Sequence, residues 1–311
     1  PSASSRSTSR STKAPAATKL VPMGSLIVSL IFLVGLFWVV EHVLGNKRGL
    51  PWRRPRMLVD LGLYVFDTFI TKPINFVVTS VAAVVFLIAA GVISWEALKA
   101  GEYQGFGPLS RLPGWGQFLA AFLLGDFLLY WIHRWFHGKQ LWRFHAVHHS
   151  SEKLDWLSSV RGHPINDIVA NAMLLFPFLL LGFGPGAAAG AGPAIGIFAL
   201  LGHADVEWDW GPFRHVIASP VYHRWHHSKD PAAMDKNFAS FLPLWDILFG
   251  THYMPKGRKP EDFGIHEPVE HTVLGLLKHP FKPSSAGFGQ NQTTPPPLPR
   301  QTPDKSTEPE T

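Results

Sequence analysis

Long apolar runs set the outer limits on what this chain can become. Gly24 to Leu44 is almost unbroken apolar sequence. At about 21 residues it is long enough to cross a bilayer as a helix, the form in which a backbone satisfies its own hydrogen bonds away from water. Ile74 to Ile93 is a second such run, and Phe118 to Trp131 begins a third that continues into His133. Ile168 to Phe183 and Ala187 to Leu201 are two more, separated by Gly182, Gly184, Pro185 and Gly186. That pair reads as a helical hairpin that enters the membrane and returns. Residues 57–72 are apolar but carry Asp60 and Asp67, which reads as an interfacial or re-entrant amphipathic helix. The expected fold is an all-α integral membrane protein with about four to five transmembrane helices plus that interfacial helix. Composition points the same way, because charged residues are only 16% of the chain, against roughly 25% in soluble domains.

The runs also divide the chain. Residues 1–23 form a basic, Ser- and Thr-rich tail expected to be disordered, and 24–114 hold the first transmembrane and interfacial helices. Residues 115–256 carry the candidate chemistry, 257–279 form a peripheral segment, and 280–311 are a Pro-rich tail, again expected to be disordered. The net charge of +6 is concentrated in two acid-free runs. One holds Arg6, Arg10, Lys13 and Lys19; the other holds Lys47, Arg48, Arg53, Arg54 and Arg56. Both flank an apolar span, so anionic lipid headgroups are the expected partner. No nucleic-acid module accompanies them, and nucleic acid is not expected.

Histidines carry the chemical signal. His133 and His137 read H-x-x-x-H; His145, His148 and His149 read H-x-x-H-H; His223, His226 and His227 repeat that pattern. Residues three and four apart share a helix face, so each cluster is expected to aim its imidazoles at one point. Eight such ligands exceed the four that one tetrahedral ion takes, and two metal ions fit better. Cysteine is absent, so the ligands must be nitrogen or oxygen and iron–sulfur clusters are excluded. His203 ends the returning hairpin and is expected as a further ligand, with His163 in R-G-H-P as another candidate. His42, His215, His252, His266, His271 and His279 stand alone and read as structural or surface residues. Asp126 lies inside an apolar span, spaced on one face with Tyr130, His133 and His137. A buried carboxylate there is costly without a task; it reads either as a packing hydrogen bond or as a partner orienting a liganding ring. Asp155, Glu207, Asp230 and Asp246 are further acids that could orient ring N–H groups. Because the hairpin returns the chain to the side it left, all three clusters are expected at one membrane face. Arg134, Lys139, Arg143 and Lys153 around the first clusters favour the cytoplasmic side, in a bacterial inner membrane or an endoplasmic-reticulum-type membrane.

H-R-W-F-H, F-H-A-V-H-H-S, R-G-H-P and Y-H-R-W-H-H-S, followed by N-F-A-S-F-L-P-L-W-D-I-L-F-G-T, resemble the fatty acid hydroxylase/sterol desaturase superfamily over roughly residues 115–255. The resemblance takes in Asp126 and Trp131 before the first box, and Asn237, Trp245, Asp246 and Gly250-Thr251 after the last. It implies a catalytic domain over 115–256, in which histidines hold two Fe ions that activate O2 to hydroxylate or desaturate a C–H bond of a lipid such as a sterol or fatty acyl chain. Zinc in such a site would be a substitute acquired in purification. Asp126, Asn237 and Asp246 are then expected to support the ligands from behind. Many relatives carry a glutamate three residues after the histidine of the H-P motif; here that position is Asn166, with Asp167 next.

No haem-binding, flavin or nicotinamide motif is encoded in the sequence. Electrons are therefore expected from a separate protein of cytochrome b5, ferredoxin or reductase type. Two other readings compete. One is a catalytically inactive lipid-binding relative. The other is a membrane metal-binding or transport protein, which would place its ligands near the middle of spans on broken helices rather than beyond span ends.

Overall fold

The computed structural model describes residues 23–45, 55–103 and 105–282. Nearly all of both tails expected to be disordered (residues 1–22 and 283–311), and most of the second basic run, lie outside these residues. Among the described residues the chain is all helical, with a single isolated bridge between Ser228 and Phe263.

Helix α1 spans Met23–His42. Helix α2 (Met57–Phe66) passes through a π-helical turn at Asp67–Thr71 directly into α3 (Lys72–Ala89). The interfacial helix and the second span are thus one continuous helix of 33 residues. Of the two acids that suggested a separate amphipathic element, Asp60 has an internal partner and Asp67 a partner on its own helix. Asp60 is fully buried and accepts from Arg161 at 2.5 Å, and Asp67 pairs with Lys72 at 2.9 Å. With Asp60 turned inward, much of the outer face stays apolar, and Leu58, Val65 and Phe69 are exposed.

After the short α4 (Trp95–Lys99), α5 (Gly114–Phe136) starts behind Pro113 and ends in the first histidine pair. Helix α6 (Trp142–His149) follows within a short loop. Helix α7 (Pro164–Leu180) and α8 (Pro185–His203) form the expected hairpin, each with proline in the first turn, where a missing N–H costs nothing. The hairpin is closed by a contact that only glycine permits. Gly182 has φ 76°, and a Cβ there would lie 2.1 Å from the carbonyl of Phe106. Helix α9 (Pro220–His226) is capped by Ser219, which accepts from the N–H of Tyr222 at 3.0 Å. The short helices α10 (Leu244–Leu248) and α11 (Val273–Lys278) complete the chain.

Helix α5 packs against α7 and α8, and α3 packs against α7. Two of the helices, Met57–Ala89 and Gly114–Phe136, are long and apolar enough to cross a membrane; Ile31–His42, Pro164–Leu180 and Gly190–His203 are apolar but shorter. The early helices are fastened to the histidine-bearing part by buried polar contacts. Glu41 at the end of α1 accepts from the N–H groups of Trp156 (2.8 Å) and Asp205 (3.0 Å). The Asp60–Arg161 pair does the same for α2.

Candidate metal centre

Nine histidines converge at the ends of these helices. They form two groups, and within each group the ring nitrogens lie within 4.8 Å of one another. The first comprises His133, His137, His145, His149 and His226; the second comprises His148, His203, His223 and His227. The sequence boxes do not map onto the groups one to one. Each H-x-x-H-H box is divided, because its i and i+4 members share a face while the third points elsewhere. His145 and His149 go to the first group and His148 to the second; His223 and His227 go to the second group and His226 to the first. The expectation that each cluster aims at one point is corrected accordingly. His203 joins the second group from the end of α8. Gly202 beside it lets α9 approach, since a Cβ there would sit 3.2 Å from the His223 side chain.

The rings are held from behind. The Nδ1–H of His133 donates to the carbonyl of Phe238 (2.8 Å), that of His226 to Lys236 (2.7 Å), that of His148 to Arg161 (2.9 Å) and that of His203 to Ala199 (2.8 Å). His137 donates to a carboxylate oxygen of Asp235 (3.0 Å) and His145 to the amide oxygen of Asn166 (3.1 Å). Each of these acceptors fixes the proton on Nδ1 and leaves Nε2 as a bare lone pair. In the first group all five Nε2 atoms are buried with no hydrogen-bond partner. In the second, the Nε2 atoms of His148 and His203 stand 3.2 Å apart, and those of His203 and His223 3.3 Å apart. His148 and His203 have both spent their proton on Nδ1, so their facing lone pairs repel unless a cation lies between them. A metal ion with Zn–N distances of about 2.0–2.1 Å sets tetrahedral nitrogen ligands roughly 3.3 Å apart. Both groups therefore fit a metal ion, and neither contains a carboxylate among the described residues.

Asp126, Asn237 and Asp246 touch none of these rings. Asp126 accepts from the N–H groups of Phe241 and Leu242 and from the indole of Trp245. Asp246 accepts from the N–H groups of Phe238 and Ala239, from Thr251 and from Tyr222. Asn237 bonds the backbone of Tyr222 and Tyr253. They shape the 235–242 loop, and the loop holds the rings. Asp235, Lys236 and Phe238 each receive one ring N–H, with Asp235 and Asn237 at φ 54° and 58°, a backbone region that Asp and Asn tolerate better than most residues. The other acids considered as ring partners do other work. Asp155 caps a short helical turn, Glu207 pairs with Lys259 and Asp230 with Arg258. Sequence reasoning missed Asp235, whose signal was an acid two residues before Asn237. It left open whether Asn166 could serve; the amide oxygen receives the His145 proton without any shift to Asp167.

His163 lies apart from both groups. It caps α7, with Nδ1 accepting from the N–H of Ile165 and Nε2 against the carbonyl of Leu277. Both nitrogens are occupied, so it is removed from the candidate ligands.

Burial pushes the pKa values of His145, His149, His223, His226 and His227 well below the ordinary histidine range, and that of His148 down to about 3, with neighbouring imidazoles adding repulsion. Above pH of about 6.5 these rings are neutral in both folded and unfolded chains. As pH falls below that, the unfolded chain takes up protons that the folded chain refuses, and stability declines. Metal-free protein is expected to unfold at progressively lower denaturant concentration from pH 6.5 downward. A midpoint independent of pH over that window would contradict the assignment of these rings as neutral ligands.

A cavity of about 530 Å³ lies against this centre. His133, His145, His148, His203 and His223 form its floor, and Leu129, Ile132, Phe136 and Phe198 contribute an apolar wall.

The fatty acid hydroxylase family model matches residues 118–251, the stretch that carries all nine converging histidines. Over that stretch the chain is similar to the fatty acid hydroxylase family. It is 34% identical over 166 residues to an ornithine lipid hydroxylase of Rhizobium tropici, a match covering 53% of this chain and 50% of that protein. It is 33% identical to the alkylglycerol monooxygenase of Danio rerio, covering 52% of this chain and 36% of the relative. A very-long-chain aldehyde decarbonylase of Oryza sativa subsp. indica is 30% identical, covering 50% of this chain and 27% of the relative. The chain thus spans half the length of the first of these relatives and less of the others. No solved structure gives a significant match.

Proposed function

We propose that this protein is a membrane-bound di-iron oxidoreductase that uses O2 and externally supplied electrons to hydroxylate, or desaturate, a C–H bond of a lipid. The observation that carries the reading is the pair of all-histidine groups beneath one largely apolar cavity. Imidazole ligation suits iron, and two bound iron ions would supply the O2 activation that an unreactive C–H bond requires. The rest of the work falls to the chain. The 235–238 loop, Arg161, Asn166 and Ala199 orient the rings, and Leu129, Ile132, Phe136 and Phe198 exclude water and accept apolar substrate. His133, His145, His148, His203 and His223 form the floor against which the substrate carbon lies. In this reading four to five helices cross the bilayer, with the metal centre at its cytoplasmic face, and the catalytic unit covers residues 115–256. The relatives named above act, by their names, on ornithine lipid, alkylglycerol and very-long-chain aldehyde, which supports a lipid substrate.

The absence of cysteine and of redox-cofactor motifs in this sequence makes a separate donor part of the proposal. Iron-loaded protein with lipid extract, O2 and NAD(P)H should form no oxidised product. Adding a ferredoxin or cytochrome b5 with its reductase should produce one oxidised lipid species. Turnover without a donor would refute the electron-supply claim. Retention of lipid without any oxidation, with every donor tried, would favour the non-catalytic lipid-binding reading.

A further inference from the structure

The cavity over the histidines has a second, polar end. Asp67, Thr71, Lys72 and Asn75 line it from the π turn and the start of α3, and Asp167 and Asn171 from α7. The π turn is what aligns the first set. In an α-helix, residues four apart drift by about 40° at each step. The wider i→i+5 turn at Asp67–Thr71 counters that drift, so Asp67, Thr71 and Asn75 all reach one cavity. Thr71 and Asn75 are 3% and 8% exposed, and the Thr71 hydroxyl and the Asn75 amide oxygen have no hydrogen-bond partner. A buried polar atom without a partner is costly, and its persistence calls for a ligand. Asp67 and Asp167 bring two carboxyl groups to the same end. Lys72 and Asn171 there are exposed, so this end opens to the surface.

The charge balance selects the ligand. The Lys and Arg lining the cavity already have carboxylate partners, Lys72 with Asp67 at 2.9 Å and Arg161 with Asp60 at 2.5 Å. Of the buried lining atoms without a hydrogen-bond partner, the Asn75 amide oxygen can only accept and the Thr71 hydroxyl can accept or donate, while Arg161, already paired with Asp60, keeps one unpartnered Nη2 donor. An anionic headgroup would meet two carboxyl groups and no unpaired cation, whereas a hydroxyl or ammonium would meet acceptors. Resting on the lipid-oxidising reading above, we infer that the mouth of this cavity is a headgroup subsite, which takes a lipid whose polar end donates hydrogen bonds. Asn166 supports a metal-centre ring and Asp167 lines the subsite, so adjacent residues serve the two ends of one cavity.

The test is equilibrium displacement of radiolabelled hexadecylglycerol from the purified, iron-loaded full chain, with no electron donor present. The competitors are unlabelled hexadecylglycerol, its bis-O-methyl ether and hexadecyl phosphate. One or two hydrogen bonds to otherwise unpaired oxygens should make the diol about tenfold tighter than the ether. Thr71→Val and Asn75→Leu, which keep side-chain volume, should each reduce that ratio by about fivefold, while Thr71→Ser should retain it. A ratio near one in the unmodified protein, an unchanged ratio in both variants, or tightest binding of the phosphate would overturn the subsite. The outcome is separable from that of the oxygenase reading. A chain with the predicted preference that oxidises no lipid keeps the subsite and loses the oxygenase; a chain that oxidises lipid without headgroup preference does the reverse.

Discussion

Replacing His148 by alanine is expected to lower lipid oxidation at least about a thousandfold and to reduce bound metal from two ions per chain to one. His148 is one of four rings in the second group, and it lines the cavity where substrate would lie. Its Nε2 lies 3.2 Å from that of His203, so its removal opens one side of the second group's nitrogen cage. Metal assistance contributes several kcal/mol to such reactions, and each 1.36 kcal/mol is a factor of ten in rate. The fold should survive, because the side chain makes one hydrogen bond, to the carbonyl of Arg161. His163→Ala is the matched control. It removes a histidine from the neighbouring loop and a helix cap worth about 1 kcal/mol, but both ions and most of the activity should remain. Equal loss in the two variants would mean that the grouping of the rings is wrong.

Asp246→Ala is expected to be the most damaging change away from the rings. The carboxylate is fully buried and accepts from two backbone N–H groups and two hydroxyls. Removing it strands four donors in a dry interior, a cost of about 4 kcal/mol by analogy with broken buried charge networks. The unfolding midpoint should fall on the order of 10 °C. Metal affinity should fall with it, because the loop that Asp246 shapes carries the Phe238 and Lys236 carbonyls that hold His133 and His226. Asp246→Asn keeps the volume but turns an amide N–H toward other donors, and should be intermediate in both measurements. A melting point close to that of the unmodified protein would show that the loop does not depend on this residue.

Much of this organisation is legible in the sequence, and the failures have a common cause. Helix periodicity and glycine–proline punctuation locate α5 and the α7–α8 hairpin, and the returning hairpin places His203 at the level of the boxes. Local spacing also finds the boxes, but it cannot say that each divides between two groups, since that depends on where α9 and α6 lie around α5. The continuity of α2 and α3 was hidden by Asp60 and Asp67. Their polarity argued for an interface until Arg161, about a hundred residues away, supplied a buried partner. Asp126, Asn237 and Asp246 read in the sequence as polar groups with a task, but in the structure they hold backbone groups rather than rings. Backbone carbonyls as ring partners have no sequence signature at all, because every residue has one.

The central claim is that two ions sit in two histidine groups. Anomalous diffraction at the iron absorption edge, from crystals of iron-loaded protein, tests it most directly. The account predicts two peaks, one enclosed by His133, His137, His145, His149 and His226 and the other by His148, His203, His223 and His227. A single peak, or iron bound outside these nine rings, would contradict it.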